Sequence, residues 1–321
     1  MTSSLPQAAR DVFERFITTE YTTVDSRLQP ITWPVTPYYD PGAATIDITT
    51  GLGYPKKADD AQRNPRVSLL FSDPTGSGLD DGCRVLVQGF AEVDDRDLDA
   101  NKERYGRESV EKLPATKDMQ PPKLLRGMFG WYYTRIYVKV RPERVFVWPH
   151  GDQSSEPEIH DARLEEVRSG HTEEPPAEHA PPQGGAPNWD ERLDQLGDRY
   201  ETAVLAWVGP DGFPISVRMP VALDRDNQRI ALGESPAGLP ITEGRACLTA
   251  HRHAPDFTWQ ENFQVRGDLV RDREGWALVP RRMIGGFELP DESELAHSRR
   301  NLSKSLRFYR TARRRLKQRQ G

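Results

Sequence analysis

Between Thr18 and Trp148 the chain is a succession of short runs in which Val, Ile, Thr and aromatic residues alternate with polar ones. The runs span Thr18–Val24, Ile31–Tyr39, Ala43–Thr50, Val67–Ser72, Arg84–Val93, Tyr133–Val140 and Arg144–Trp148. A period of two, carried by branched and aromatic side chains, predicts strands. Asp25-Ser26 and Asp40-Pro41-Gly42 predict the turns between them. Ahead of the first run, Leu5, Val12, Phe13, Phe16 and Ile17 fall at helical spacing. Two more helical stretches interrupt the strands, one at Ala58–Arg63, stopped by Asn64-Pro65, and one from Arg96 towards Leu113. Neither has the look of a crossover helix in a parallel sheet. Many short strands with few helices predict a small barrel, mainly β with peripheral helices.

From Gly151 the composition turns to Pro, Gly, Glu and His, with Pro175-Pro176, Pro181-Pro182 and Gly184-Gly185. Such a stretch predicts a linker, here 151–189, with one short helix near Leu164–Arg168. It divides a first domain, 1–150, from a second, 190–321. After it the same pattern returns, which predicts an internal repeat. Asp25-Ser26-Arg27 lines up with Asp211-Gly212-Phe213, and Trp33-Pro34-Val35 with Met219-Pro220-Val221, at one constant offset. Further on, Val85-x-Val87-x-Gly89 recurs as Phe263-x-Val265-x-Gly267. Between these anchors the second copy is shorter, and the missing part corresponds to Gly51-Leu52-Gly53-Tyr54-Pro55-Lys56-Lys57.

A length of 321 residues accommodates two such domains, and 36% hydrophobic with 29% charged residues fits a globular protein. No apolar run approaches the roughly 20 residues of a membrane helix, and Met1–Arg10 lacks the apolar stretch of a secretory signal. Cys83 and Cys247 lie in different halves, so free thiols in a reducing cytoplasm are expected. The net charge of −5 hides an asymmetry: the stretch from Leu295 onward holds ten Lys and Arg and no acid, leaving the remainder near −15. An acidic body argues against nucleic acid as a partner, except through that tail.

The segment deleted from the second copy carries the candidate chemistry. Strand Thr45–Thr50 runs into glycines, a proline and Lys56-Lys57, then directly into the helix from Ala58. Glycines let backbone N–H groups turn towards an anion, threonine hydroxyls can donate to it, and ammonium groups neutralise it. This is neither a Walker loop nor a dinucleotide fingerprint. In the second copy, Glu234–Arg245 has two acids and no lysine, which would repel a phosphate.

The order Thr49-Thr50, Lys56-Lys57-Ala58, then Arg63-Asn64-Pro65-Arg66-Val67-Ser68-Leu69-Leu70 resembles the pyridoxamine 5′-phosphate oxidase-like family of flavin-binding split barrels. The resemblance continues through Arg84-Val85-Leu86-Val87-Gln88-Gly89-Phe90-Ala91-Glu92 and closes with Ile136–Val145, covering about 135 residues of the chain. It implies two tandem split β-barrels, the second degenerate. It further implies that Lys57 is the main phosphate contact, with Lys56, Thr49 and Thr50 beside it. The backbone of Trp33, Pro34 and Val35 would pass along the isoalloxazine edge, and Arg84 would be a further flavin contact. The implied activity is that of an oxidoreductase that binds FMN, or the 8-hydroxy-5-deazaflavin coenzyme, and moves electrons between a reduced-cofactor donor and a small organic substrate. The flavin performs the chemistry, so no catalytic side chain is named. Gly-Tyr-Pro stands before the lysines where the family often has Ser or Arg, and the early strand lacks the Arg and Lys of the true pyridoxamine phosphate oxidases. That substrate is therefore not expected. Flavin sites of this family lie between two barrels, so the second copy serves either as an internal partner in a pseudo-dimer or as an appendage to an ordinary homodimer.

Other constellations have plainer readings. Cys247, His251 and His253 share one face of a strand, but three residues without a spacing motif point to a strand face and not to a metal. Trp131, Tyr132, Tyr133 and Tyr137 read mainly as core, with room for one of them in a pocket. No nucleophile elbow or His-Glu-x-x-His helix is present, which disfavours hydrolases. Ser298–Arg319 places Leu302, Leu306, Tyr309, Ala312 and Leu316 on one helical stripe among arginines. Packing onto the acidic body of the same chain is the expectation; anionic lipid, nucleic acid or a role as a non-catalytic interaction module is the alternative.

Overall fold

The computed structural model describes residues 5–79, 82–117, 130–162, 179–273, 275–285 and 294–320. The first sheet contains β1 (Thr19–Val24), β2 (Pro30–Val35), β3 (Tyr38–Asp40), β4 (Thr45–Gly51), β5 (Arg66–Phe71), β6 (Arg84–Asp94) and β7 (Arg135–Trp148), with β8 (Glu158–Asp161) added on β7. Its order is β2-β1-β5-β6-β7-β4-β3, and the neighbours are antiparallel. The second sheet contains β9 (Thr202–Val208), β10 (Pro214–Pro220), β11 (Ala222–Asp224), β12 (Arg229–Gly233), β13 (Gly244–His253), β14 (Gln260–Asp272) and β15 (Gly275–Gly285). Its order, β10-β9-β13-β14-β15-β12-β11, repeats the first strand for strand. The fold is two tandem split β-barrels.

Helices α1 (Gln7–Arg15), α2 (Lys56–Arg63), α3 (Leu98–Lys112), α4 (Gly130–Tyr133), α5 (Asp194–Arg199) and α6 (Glu294–Gln320) lie at the periphery. Asp97 caps α3 by accepting from the backbone N–H groups of Asp99 and Ala100. No helix among the described residues is long and apolar enough to cross a membrane. The helix expected near Leu164–Arg168 lies outside the described residues.

The structure adjusts several sequence readings. The runs Tyr133–Val140 and Arg144–Trp148 join as the single strand β7, which bulges at Glu143, opposite the step from Gln88 to Gly89 of its neighbour β6. The second barrel has the same bulge, at Arg281 of β15, opposite the step from Arg266 to Gly267. A side chain at Gly89 or Gly267 would collide with the carbonyl of Arg141 or Val279, so both positions need glycine. Val24 opposes Pro30 in one hairpin, and Val208 opposes Pro214 in the other. Pro30-Ile31-Thr32-Trp33 therefore answers to Pro214-Ile215-Ser216-Val217, two residues away from the alignment read off the sequence. A slip of two keeps every side chain on its own face, so alternation alone could not detect it. The compositional linker also begins in order, since β8 pairs with β7 and Trp148 donates to the Ser155 carbonyl at 2.9 Å.

Alternate residues of β5 and β6 enter different cores. Leu69, Val85 and Val87 pack with Phe13, Ile48 and Val138 inside the first barrel. Leu70 and Leu86 point the other way and join Leu205, Leu248 and Val265 of the second. The two barrels thus share an apolar seam, which explains why β5 is buried along its whole length. Polar contacts recur across the seam in related pairs. Gln88 donates to the Pro214 carbonyl (3.0 Å), Gln29 to that of Ala246 (2.8 Å) and Thr249 to that of Thr32 (3.1 Å), while Ser68 meets Ser216 at 3.5 Å. Contacts made from both sides by corresponding strands are those of an isologous dimer, here within one chain.

Candidate functional site

β4 ends at Gly51, opposite Arg135 at the start of β7. The turn that follows carries Tyr54 and leads into α2. The Thr50 hydroxyl donates to the Tyr54 carbonyl at 2.9 Å, so this buried threonine holds the turn. Thr49, one residue earlier, is partly buried on the opposite face of β4.

The two lysines separate. Lys56 is exposed and pairs with Asp60 (2.8 Å) and, more loosely, with Asp25 (3.9 Å). Lys57 is partly buried, and its ammonium sits 5.9 Å from the ring centre of Trp33 and 5.7 Å from that of Tyr54. Burial, then the nearby Arg135 charge, push its pKa down to about 8.

Arg135 is the residue that the sequence did not single out. It is 4% exposed, lies 4.1 Å from the ring centre of Tyr105 and 4.2 Å from that of Tyr132, and donates to the hydroxyls of Tyr54 and Tyr105, each at 2.8 Å. Its Nε is buried without a hydrogen-bond partner. Among the described residues no carboxylate pairs with Lys57 or Arg135. Two cations therefore share an aromatic pocket in which no carboxylate among the described residues pairs with them. A signal was present: Arg135 follows the aromatic run Trp131-Tyr132-Tyr133 by two residues, yet only the β4–β7 pairing brings it to the lysine loop.

The remaining residues fall in two places. Trp33, Pro34 and Val35 are partly buried on β2, an edge strand of the first sheet, with Val35 against the first core. Immediately before them, the Thr32 carbonyl is taken by Thr249 and Gln264 of the second barrel. The stretch that faces Lys57 therefore begins where the barrels meet. Arg84 is not part of this group. It pairs with Trp148, at the far end of β7 from Arg135, and its guanidinium donates to the Gly82 and Cys83 carbonyls.

In the second barrel, β12 passes to β13 without any counterpart of α2. Trp207 donates to the Pro240 carbonyl (2.8 Å) and Trp276 to Ser235 (2.6 Å), pinning this connection to the barrel. Arg229, at the start of β12, is neutralised by Asp224 and Asp272.

His251 and His253 work in the seam. His251 lies 2.7 Å from Glu20, and His253 3.1 Å from the Thr18 hydroxyl. Arg218 (2.9 Å) and Ser72 (2.7 Å) also bind Glu20, which is 1% exposed. Burial would raise the Glu20 pKa, but His251, Arg218 and Ser72 together hold it below its ordinary value. Cys247 lies 3.6 Å from Thr249 and does not join the histidines. No group of metal-binding side chains occurs among the described residues. Tyr137 is buried and donates to Glu108 at 2.7 Å, while the Trp131 side chain lies outside the described residues.

Fold and site together are those of a tandem split barrel whose first half gathers Lys57 and Arg135 among aromatic rings. No family model and no curated protein sequence matches the chain. Similar solved structures include a conserved hypothetical protein from Mycobacterium tuberculosis, 21% identical over 46% of this chain and 86% of its own, with a TM-score of 0.35. Another is a protein related to general stress protein 26, of the pyridoxinephosphate oxidase family, from Clostridium acetobutylicum: 10% identical over 48% of this chain and 91% of its own, TM-score 0.33. A third is an F420 reductase, 18% identical over 42% of this chain and 94% of its own, TM-score 0.31.

Proposed function

We propose that this chain is a flavin-dependent oxidoreductase that holds one cofactor, by its phosphate, in the first barrel. The observation that carries the reading is the pair Lys57 and Arg135, two buried or half-buried cations that share an aromatic pocket and pair with no carboxylate among the described residues. Charges withdrawn from water are costly unless paired, and a phosphate would pair both. The unpartnered Arg135 Nε is a donor waiting for such an acceptor. Thr49 and Lys56, neighbours of the pocket along the chain, would be the further phosphate contacts. Trp33, Pro34 and Val35 would flank the flat ring system as it leaves the phosphate towards the seam. Arg84 has no part in this site.

FMN is the proposed cofactor, and a deazaflavin coenzyme would be met by the same cations. The bound flavin supplies the electron transfer, from a reduced-cofactor donor to a small organic substrate. The protein's share would be to hold the phosphate through Lys57 and Arg135 and to orient the ring beside Trp33, Pro34 and Val35. The second barrel stands in for the partner subunit, which implies a monomer with one cofactor per chain, working in the reducing cytoplasm.

The test is the visible spectrum of the purified protein, with mass identification of any extracted chromophore. A flavin or deazaflavin band in the wild type, lost in Lys57→Glu, is expected. A colourless protein that takes up neither cofactor when supplied would overturn the reading.

A further inference from the structure

Helix α6 is anchored to the first barrel along one face. Ala312 is buried in that barrel's core, Phe308 packs on Tyr54 with ring centres 5.3 Å apart, and Arg315 and Arg319 pair with Asp59 (2.5 Å) and Asp95 (2.8 Å). These residues recur every three or four positions, so the opposite side of the helix faces outward. That side carries Arg307, Arg310, Arg313, Arg314 and Lys317, all exposed, and none of them pairs with a carboxylate among the described residues. Along its edge run Leu306, Tyr309 and Leu316, which are 50%, 42% and 41% exposed. Three of the five large hydrophobic side chains exposed among the described residues therefore lie on this one helix.

We propose that the outer face of α6 docks the protein onto an anionic phospholipid surface. The mixture decides the partner. A nucleic acid would answer the arginines and leave Leu306 and Leu316 in water, whereas the boundary of a bilayer takes both at once, with apolar side chains among the acyl chains and cations among the headgroup phosphates. Each cation near such a surface strengthens binding about fivefold, and salt screens the effect. The acidic remainder of the chain, near −15, orients the encounter by repelling every other face from the same surface. The cofactor reading has no bearing on this docking.

The experiment is co-sedimentation of the full chain with vesicles of phosphatidylcholine alone, or of phosphatidylcholine and phosphatidylglycerol in equal amounts. Pelleting with the anionic vesicles only, reversed by high salt, is expected. The triple variant Arg310→Glu/Arg313→Glu/Lys317→Glu should weaken it on the order of a hundredfold or more. Leu306→Ser/Leu316→Ser, which keeps every charge, should also lose the vesicles while still binding heparin. Both variants change outward side chains, and unchanged thermal melting would show that they fold. Equal pelleting with neutral vesicles, or none with either kind, overturns the proposal. So does RNA binding that survives the leucine changes while vesicles are ignored, or a dimer held through α6.

Discussion

The end of β4 in the first barrel and the end of β12 in the second occupy the same place in the same topology, and they treat charge in opposite ways. In the first, α2 delivers Lys57 beside Arg135, and no carboxylate among the described residues pairs with either. In the second the helix is gone, tryptophans tie the chain down, and Arg229, at the other end of β12, is closed by Asp224 and Asp272. A duplicated scaffold keeps its strands because both copies must fill a core and a shared seam. Its loops are free to diverge, and the copy that finishes its own ion pairs has given up the capacity to take a ligand's.

The widest break in that comparison is Lys57→Glu. Losing a charge-assisted contact in a buried site removes about 2–5 kcal/mol of binding, so reversal should weaken cofactor affinity on the order of a thousandfold, as read by flavin fluorescence titration. Lys57→Met should lose affinity too, while raising the melting temperature of the cofactor-free protein, because an uncompensated cation leaves its pocket. A mutant less stable than the wild type would show that Lys57 serves the fold. Next comes the seam that makes one barrel the partner of the other. Glu20→Ala strands Arg218 and His251 and should cost about 3–5 kcal/mol by denaturant unfolding. Since Glu20 titrates below its ordinary 4.5, its contribution is complete above that value and lost as pH falls through the lower folded one. Wild type should therefore loosen in acid, and Glu20→Gln should show a flatter profile. Smaller still, Gly89→Ala and Gly267→Ala should each destabilise by about 1–3 kcal/mol and by similar amounts, because both glycines meet a carbonyl. Unequal losses would mean that the two barrels are less alike than their topology.

The fold was legible because alternation and turn residues are local, and the repeat printed the pattern twice. The Gly89 and Gly267 anchors were read correctly, since a glycine pressed against the carbonyl of a bulged neighbour has no substitute. The hairpin alignment was not, since a shift of two residues leaves every face unchanged. The lysine loop announced itself, but the pair that matters is Lys57 with Arg135, which β4 and β7 bring together from distant parts of the chain, and no window of sequence contains both. Lys56, equal to Lys57 on paper, is spent on Asp60, one helical turn away. Arg84 was placed by position in a strand, and the strand carries it to the other end of the hairpin. Glu20 inside β1 reads as a solvated strand residue; only the packing of the second barrel buries it.

The finest test of the contrast between the two loops is pH. Lys57 titrates near 8 before a ligand arrives, because burial and Arg135 disfavour its charge. Phosphate binding needs the ammonium, and a bound dianion raises its pKa, so affinity should be level between about pH 7, where the phosphate is already a dianion, and that value, and fall by up to tenfold per pH unit above it. The decline should end where the lysine of the complex itself loses its proton. Lys57→Arg, which stays charged throughout, should bind with a flat profile over the same range. Isothermal titration at several pH values measures both curves. A wild-type affinity that ignores pH through this window would move the phosphate away from Lys57 and leave Arg135 alone to hold it.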